Sequence, residues 1–148
     1  LDSLTGGRVL RLESHLEKYK EFMLTYGDGI SDINLHELYN FHLENNCIGT
    51  VTAVHPPARF GLLDFDKNLV TKFKEKPQTN DGWINGGFFV FKKTFFKYLS
   101  NDLTILEQEP LEKLSKDKNL AGYKHYNFWQ CMDTPRDRQL LEEYLSGK

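Results

Sequence analysis

Apolar positions recur along the chain at two different spacings. Between Thr5 and Glu17, Val9, Leu12 and Leu16 fall three and four residues apart, which predicts a helix with Thr5 as its N-cap. Phe22 to Tyr26 is a short apolar run with the length of a buried strand. Helical spacing returns over Asn34–Glu44, with Leu35, Leu38 and either Tyr39 or His42 on one face and Asn45-Asn46 as a stop. Ile48–His55 then reads as a strand ended by Pro56-Pro57. "GLLDFD" and "LVTKFKEK" read as two strands joined by the turn Asp66-Lys67-Asn68. Trp83–Phe91 is a further strand with Gly86-Gly87 inside it, and Lys93–Leu99 and Leu106–Lys116 are helical, Pro110 sitting near the start of the second. "LAGYKHYNFWQCMD" is mainly strand, and Thr134 caps a last helix, Pro135–Leu145. Helices alternating with strands, plus a hairpin in the middle, predict an α/β fold with a mixed sheet.

Composition narrows the function classes. At 148 residues and a formal net charge of -2, the chain is the size of one ordinary domain and has no basic footprint for nucleic acid. The apolar runs are far shorter than a membrane span, and no signal-peptide pattern opens the sequence, so a cytoplasmic setting is expected. Cys47 and Cys131 are too few for a disulfide framework or a zinc site, and the five histidines show no metal-ligand spacing.

Candidate chemistry sits where strands end, because ligands of open α/β sheets gather beyond the carboxyl ends of strands. Asp28 lies between two glycines just after an apolar run, and Asp133 lies at a strand-to-helix junction in "FWQCMDTPRD". They are far apart in sequence, and spacing alone does not bring them together; at neighbouring strand ends, two such carboxylates would suit a magnesium ion carrying substrate phosphates. The competing reading is an Asx-type turn at Asp28 and a helix-capping role for Asp133. In "KFKEKPQ", Lys76 offers a point charge for a phosphate and Glu75 an acceptor for sugar hydroxyls, or both are a solvated strand end. In "WINGGFFVF", the Asn85 amide suits hydroxyl recognition, and the glycines that follow mark either a bulge or close approach by a ligand. Gly61 closes "HPPARFG", where the lack of a side chain would let a ligand approach the backbone, and "TGGR" sets Gly7 and Arg8 at a helix start, a place that favours anions.

Taken in order, "TGGR", "LTYGDGISD", "HPPARFGLLDFD", "FKEKP", "INGGFFVF", "LEQEPLEKL" and "FWQCMDTPRD" resemble the bacterial glucose-1-phosphate cytidylyltransferases, a branch of the sugar-phosphate nucleotidyltransferases. The resemblance implies a Rossmann-like nucleotidyltransferase fold with a mixed sheet flanked by helices. It also implies transfer of a cytidylyl group from CTP to glucose 1-phosphate, giving CDP-glucose and pyrophosphate, with Mg²⁺ as cofactor. On that basis Asp28 and Asp133 are the metal-binding pair, and Lys76 binds the phosphate of glucose 1-phosphate. Glu75, Asn85, Gly86 and the Gly61 backbone hold glucose, and Arg8, with Gly7 packed beside it, reads the base. The last role fits the chemistry: cytosine presents N3 and O2 as adjacent acceptors, whereas uracil carries a donor at N3. A phosphate dianion needs no general base, so neither a histidine nor a cysteine is assigned to catalysis. By the same resemblance the product feeds deoxysugar synthesis for surface polysaccharide, and the enzyme forms homo-oligomers.

One family feature has no counterpart. The glycine-rich loop of the type G-G-x-G-T-R that cradles the triphosphate precedes the base-reading segment in the family, and this sequence starts at Leu1, just before "TGGR". Residues 1–148 therefore read as the C-terminal portion of a nucleotidyltransferase domain, incomplete at its N-terminus, with exposed sheet edges to follow. The alternatives are a non-catalytic sugar-phosphate-binding or assembly module of the same fold and a related nucleotidyltransferase using another nucleotide. A metal-dependent glycosyltransferase is disfavoured, because "GDG" lacks the Asp-x-Asp spacing. The 148-residue chain alone is expected to bind glucose 1-phosphate weakly and to release no pyrophosphate from CTP. A pyrophosphate-release assay checks this, and robust turnover would mean the glycine-rich loop is dispensable.

Overall fold

The computed structural model describes residues 2–56, 62–74 and 82–147. At the start of the chain the helical pattern is interrupted. Instead of one helix over 5–17, there are α1 (Thr5–Leu10) and α2 (Glu13–Leu16), separated by a turn at Arg11-Leu12. The Arg11 guanidinium makes a bidentate pair with Asp102 at 2.7 and 2.9 Å, and Leu12 is left 46% exposed. The N-cap position belongs to Leu4, not Thr5. The Thr5 hydroxyl is used elsewhere, donating to Glu107 at 2.8 Å and accepting from the Leu106 amide at 2.9 Å.

The strands that follow are β1 (Glu21–Thr25) and β2 (Gly29–Ser31), the second too short for any alternation to show in the sequence. Helix α3 (Leu35–Asn45) lies one residue later at each end than the pattern predicts, with Asn34 as its N-cap and the stop at Asn46. Asn34 accepts from the amides of His36 and Glu37, and Asn46 closes the helix in the left-handed conformation. Strand β3 (Gly49–Val54) precedes the hairpin of β4 (Leu62–Asp66) and β5 (Leu69–Lys74), which turns at Lys67-Asn68. Strand β6 (Ile84–Lys92) leads into a 3₁₀ segment over Lys93–Tyr98, then α4 (Glu109–Lys116), β7 (Leu120–Lys124), β8 (Trp129–Cys131) and α5 (Pro135–Leu145).

The main sheet has the order β1-β6-β3-β7. β1 and β6 are antiparallel, in the register Glu21↔Lys92 to Thr25↔Phe88. β3 and β7 run the same way, since the Gly49 amide donates to the Asn119 carbonyl and the His125 amide to the Ala53 carbonyl. The sheet is mixed, as expected. β1 lies at its edge among the described strands and is half-exposed rather than buried, with Met23 44% exposed. Burial depends on what lies beside a strand, which its own letters do not carry.

By its internal contacts the chain divides into two units. The first comprises Leu1–Tyr26, Asn34–Thr52 and Gly87–Tyr123; the second comprises Gly27–Ile33, Ala53–Gly86 and Lys124–Lys148. The core of the first unit is aromatic. Phe89, Phe91, Phe95 and Phe96 are buried together with Val9, Leu99, Leu106, Leu111 and Leu114. The rings of Phe91 and Phe95 stack at 3.9 Å. Each fully buried phenylalanine stabilises the fold by about 1.5–3 kcal/mol.

One polar residue of that unit is buried at a cost. His42 has no exposed surface; its Nδ1 lies 2.8 Å from Thr50 Oγ1, and its Nε2 has no hydrogen-bond partner among the described residues. Burial, reinforced by Lys92 and only partly opposed by Glu21, lowers the imidazole pKa below its ordinary 6.5. The unfolded chain therefore takes up the proton more readily than the native one, so His42 makes stability rise with pH. Stability measured by denaturant unfolding is expected to be full above pH 6.5 and to fall as pH drops below it. His42→Leu is expected to flatten that slope, and an unaltered slope would assign it to another group.

Candidate active site

Two backbone features of the second unit bring Asp28 and Asp133 together across 105 residues of sequence. β2 and β8 pair antiparallel in the register Gly29↔Cys131, Ile30↔Gln130, Ser31↔Trp129. One step beyond the last pair, the Met132 amide donates to the Asp28 carbonyl at 2.8 Å. Asp133 is the next residue. Both aspartates are exposed.

The competing roles for these carboxylates find little support in the local geometry. The Asp28 side chain makes no hydrogen bond among the described residues, so it is not consumed by an Asx turn. The last helix is capped by Thr134 and Asp137 in a reciprocal capping box, in which Asp133 takes no part. Asp133 Oδ2 instead accepts from the Cys131 thiol at 3.3 Å. Burial, with the Asp133 carboxylate next in size, pushes the Cys131 thiol pKa up, so it stays protonated and serves as a donor rather than a nucleophile.

The flanking glycines differ in what they do. A Cβ added at Gly27 would meet nothing within 4 Å, and at Gly29 it would make only ordinary contacts at 3.8 Å. Neither has a positive φ. Nothing in the turn itself requires glycine, and the space beside Asp28 is open on that side. Gly87 is the opposite case: its φ is +78°, and a Cβ there would lie 2.7 Å from the Tyr26 ring. That glycine accommodates Tyr26 within the first unit rather than a ligand.

Asn85 and Gly86 belong to the second unit, where Trp129 Nε1 donates to the Gly86 carbonyl at 2.8 Å. The start of β6 is thereby tied to the ribbon that bears both aspartates. Trp129 was not among the residues singled out from sequence, since an indole in an apolar run looks like core. Gly7 and Arg8 lie in the first unit. The amides of Gly6 and Gly7 both donate to the Thr104 carbonyl, at 2.9 and 3.2 Å, and a Cβ on Gly7 would fall 2.2 Å from the Asp102 carbonyl oxygen. The glycines of "TGGR" therefore serve close packing, and their amides are occupied. Arg8 is exposed, with Nε donating to the Ser3 carbonyl at 3.1 Å. Gly61, Glu75 and Lys76 lie outside the described residues.

The donor set at Asp28 and Asp133 is chemically specific. Among the described residues there is no cluster of three or more His, Cys, Asp or Glu side chains able to hold a metal. A closed zinc-type centre is therefore not formed by them. Two exposed carboxylates fit Mg²⁺, which keeps several waters and is held by one or two carboxylates together with substrate phosphates.

The sequence signature described as nucleotidyl transferase matches residues 6–133, a span that includes both aspartates. The chain belongs to that family. It is 41% identical over 140 residues to the glucose-1-phosphate cytidylyltransferase of Salmonella typhi, covering 95% of this chain and 54% of that protein. It is 42% identical over 143 residues to a Bacillus subtilis (strain 168) protein named "Probable glucose-1-phosphate cytidylyltransferase", covering 96% and 55% respectively. The chain thus spans about half the length of the curated relatives it matches. The crystal structure of HddC from Yersinia pseudotuberculosis superposes with a TM-score of 0.71 at 18% identity, covering 98% of this chain and 64% of that one. The last likeness shows the nucleotidyltransferase fold, an α/β architecture with a mixed sheet and flanking helices. No helix among the described residues is long and apolar enough to cross a membrane.

If Gly7 is a packing glycine, Gly7→Ala must displace the Asp102 segment. A loss of about 1–3 kcal/mol of stability is expected. Chemical denaturation measures it, and an unchanged midpoint would return Gly7 to a purely ligand-facing role.

Proposed function

We propose that this nucleotidyltransferase chain serves the transfer of a cytidylyl group from CTP to glucose 1-phosphate, forming CDP-glucose and pyrophosphate. The observation that carries the reading is the juxtaposition of Asp28 and Asp133 at one end of the β2–β8 ribbon. The names of the Salmonella typhi and Bacillus subtilis relatives support cytidine as the base and glucose 1-phosphate as the acceptor.

In this reading an oxygen of the glucose 1-phosphate phosphate attacks the α-phosphorus of CTP. A new P–O bond forms, and the bond to the β-phosphate breaks with release of pyrophosphate. The attacking dianion is already ionised, so no side chain has to remove a proton. Asp28 and Asp133 would hold Mg²⁺, and their own repulsion is relieved when it is bound. Bound there, Mg²⁺ supplies charge neutralisation on the phosphate oxygens. Lys76 neutralises the sugar phosphate as a point charge. Glu75, Asn85, Gly86 and the Gly61 backbone receive the glucose hydroxyls. Arg8, with Gly7 beside it, meets the acceptor edge of cytosine. Alignment and charge neutralisation, rather than proton transfer, carry the catalysis. By the family resemblance, the reaction would run in the cytoplasm and the full-length enzyme would be a homo-oligomer.

The test is Asp133→Asn in a polypeptide that contains these 148 residues and turns over CTP and glucose 1-phosphate. Mg²⁺-dependent pyrophosphate release is expected to drop roughly 100-fold or more, equivalent to several kcal/mol of transition-state stabilisation. The circular-dichroism spectrum and unfolding midpoint should be unchanged, because the exposed side chain takes no part in the cap of the last helix. Wild-type turnover would remove Asp133 from the site.

A further inference from the structure

The ribbon that carries the two aspartates is only three residue pairs long, and pairing of that length does not hold itself in water. Its register is also weakly specified by side chains, because Ile30 is the single apolar residue of β2 and is 38% exposed. Something else must fix it. A slip of one residue would move Asp133 by about 3.3 Å relative to Asp28. That exceeds what a shared Mg²⁺ would tolerate, since its ligands stand at about 2.1 Å in near-ideal octahedral geometry.

At the end of the ribbon remote from Asp28 and Asp133, three donors converge on one carbonyl. Phe128 C=O accepts from the Ser31 hydroxyl at 2.7 Å, from the Asp32 amide at 3.3 Å and from His125 Nε2 at 3.2 Å. The same imidazole nitrogen lies 3.0 Å from Asp32 Oδ1 and 3.1 Å from Ser31 Oγ. A carboxylate and a carbonyl can only accept, so Nε2 carries the proton. The His125 side chain is 6% exposed, against 48% for Asp32. His125 is itself anchored, its amide donating to Ala53 at 2.9 Å. Phe128 is anchored too, its ring stacked at 3.9 Å on Tyr144 of α5.

One N–H thus joins three pieces of chain: the end of β7, the exit of β2 and the entry to β8. We propose that His125 is the positioning residue that locks the β2–β8 register and thereby sets the spacing of Asp28 and Asp133. The inference rests on the metal-pair reading above for its functional consequence, and on the hydrogen-bond geometry alone for the lock. His125 touches no reacting group; it acts through the ribbon.

The test combines amide hydrogen exchange with Mn²⁺ titration of the 148-residue chain followed by NMR. Mn²⁺ takes the same hard oxygen ligands as Mg²⁺ and broadens nearby resonances. In the wild type, Mn²⁺ is expected to broaden Asp28 and Asp133 first. In His125→Phe, which keeps an aromatic ring but lacks the donor, exchange of the Met132 amide should quicken at least tenfold, with the Gly49 and Lys92 amides unchanged. The Mn²⁺ concentration needed for broadening should rise at least tenfold. His125→Gln, whose side-chain amide restores an N–H donor, should recover both. The proposal is overturned if His125→Phe leaves Met132 exchange at the wild-type rate, or if it quickens every amide alike. It is equally overturned if His125→Gln behaves as His125→Phe does. Absence of broadening at both aspartates in the wild type would sink the metal-pair reading instead, and Met132 exchange would still decide the lock. Should His125→Phe fail to fold, Asp32→Ala, which removes the exposed acceptor, carries the comparison, with Asp32→Asn, which keeps an acceptor, as the recovering variant.

Discussion

The site depends on one main-chain hydrogen bond, from the Met132 amide to the Asp28 carbonyl at 2.8 Å. It closes the ribbon one step past its last pair and brings together the main chain at two aspartate positions that lie 105 residues apart in the sequence. Using backbone for this contact has a chemical consequence. Two aspartates could be held close by a shared arginine or lysine, but the cation would then neutralise the charge that a metal needs. A peptide-to-peptide bond leaves the charge in place. Both side chains are exposed, so water screens any repulsion between them. The pair is therefore tolerable without a cation and better satisfied with one.

From that point order propagates in both directions along the chain. After Asp133 come Thr134 and the capping box with Asp137, and Asp137 also accepts from Gln130 of β8 at 3.3 Å. Helix α5 and strand β8 are thus stapled across the very residue that carries the second carboxylate. At the other end of β8, Trp129 reaches the Gly86 carbonyl, so that the Asn85-Gly86 segment is placed by a side chain of the same strand. The glycines divide accordingly. Gly7 and Gly87 are demanded by neighbours at 2.2 and 2.7 Å, whereas Gly27 has nothing near it that a side chain would disturb. A glycine that packing does not require, beside a carboxylate with no hydrogen bond among the described residues, is a stronger indication of a ligand than any glycine-rich spelling.

How much of this was legible follows from how local each cause is. The cap at Thr134 could be read because capping is decided within four residues. Pro110 near the start of α4 is a local matter too. The break after Leu10 was hidden because Arg11 answers to Asp102, far along the chain. β2 was hidden because three residues with one apolar side chain have no period, and its existence depends on β8. For the same reason spacing alone left Asp28 open between turn and ligand. Only the order of motifs, a family resemblance, brought it together with Asp133, and the ribbon supplies the physical means.

The two carboxylates are not equivalent, and the difference follows from Cys131. Its thiol donates to Asp133 and is kept protonated by burial, so the donor persists at neutral pH. A serine there would donate more strongly and hold the carboxylate more tightly, while a thiolate would repel it. A weak, permanently protonated donor orients Asp133 without competing strongly for its charge. Asp28, in a turn with no hydrogen bond to its side chain among the described residues, keeps rotational freedom. On the proposed metal-pair reading, one ligand would be partly set in advance and the other would adjust. That division would suit a hard cation held jointly by protein carboxylates and substrate phosphates. Likeness of fold to HddC at 18% identity could not have indicated this, since fold does not fix function. In the proposed reading the chemistry belongs to the ribbon, the open turn and the two acidic groups they present.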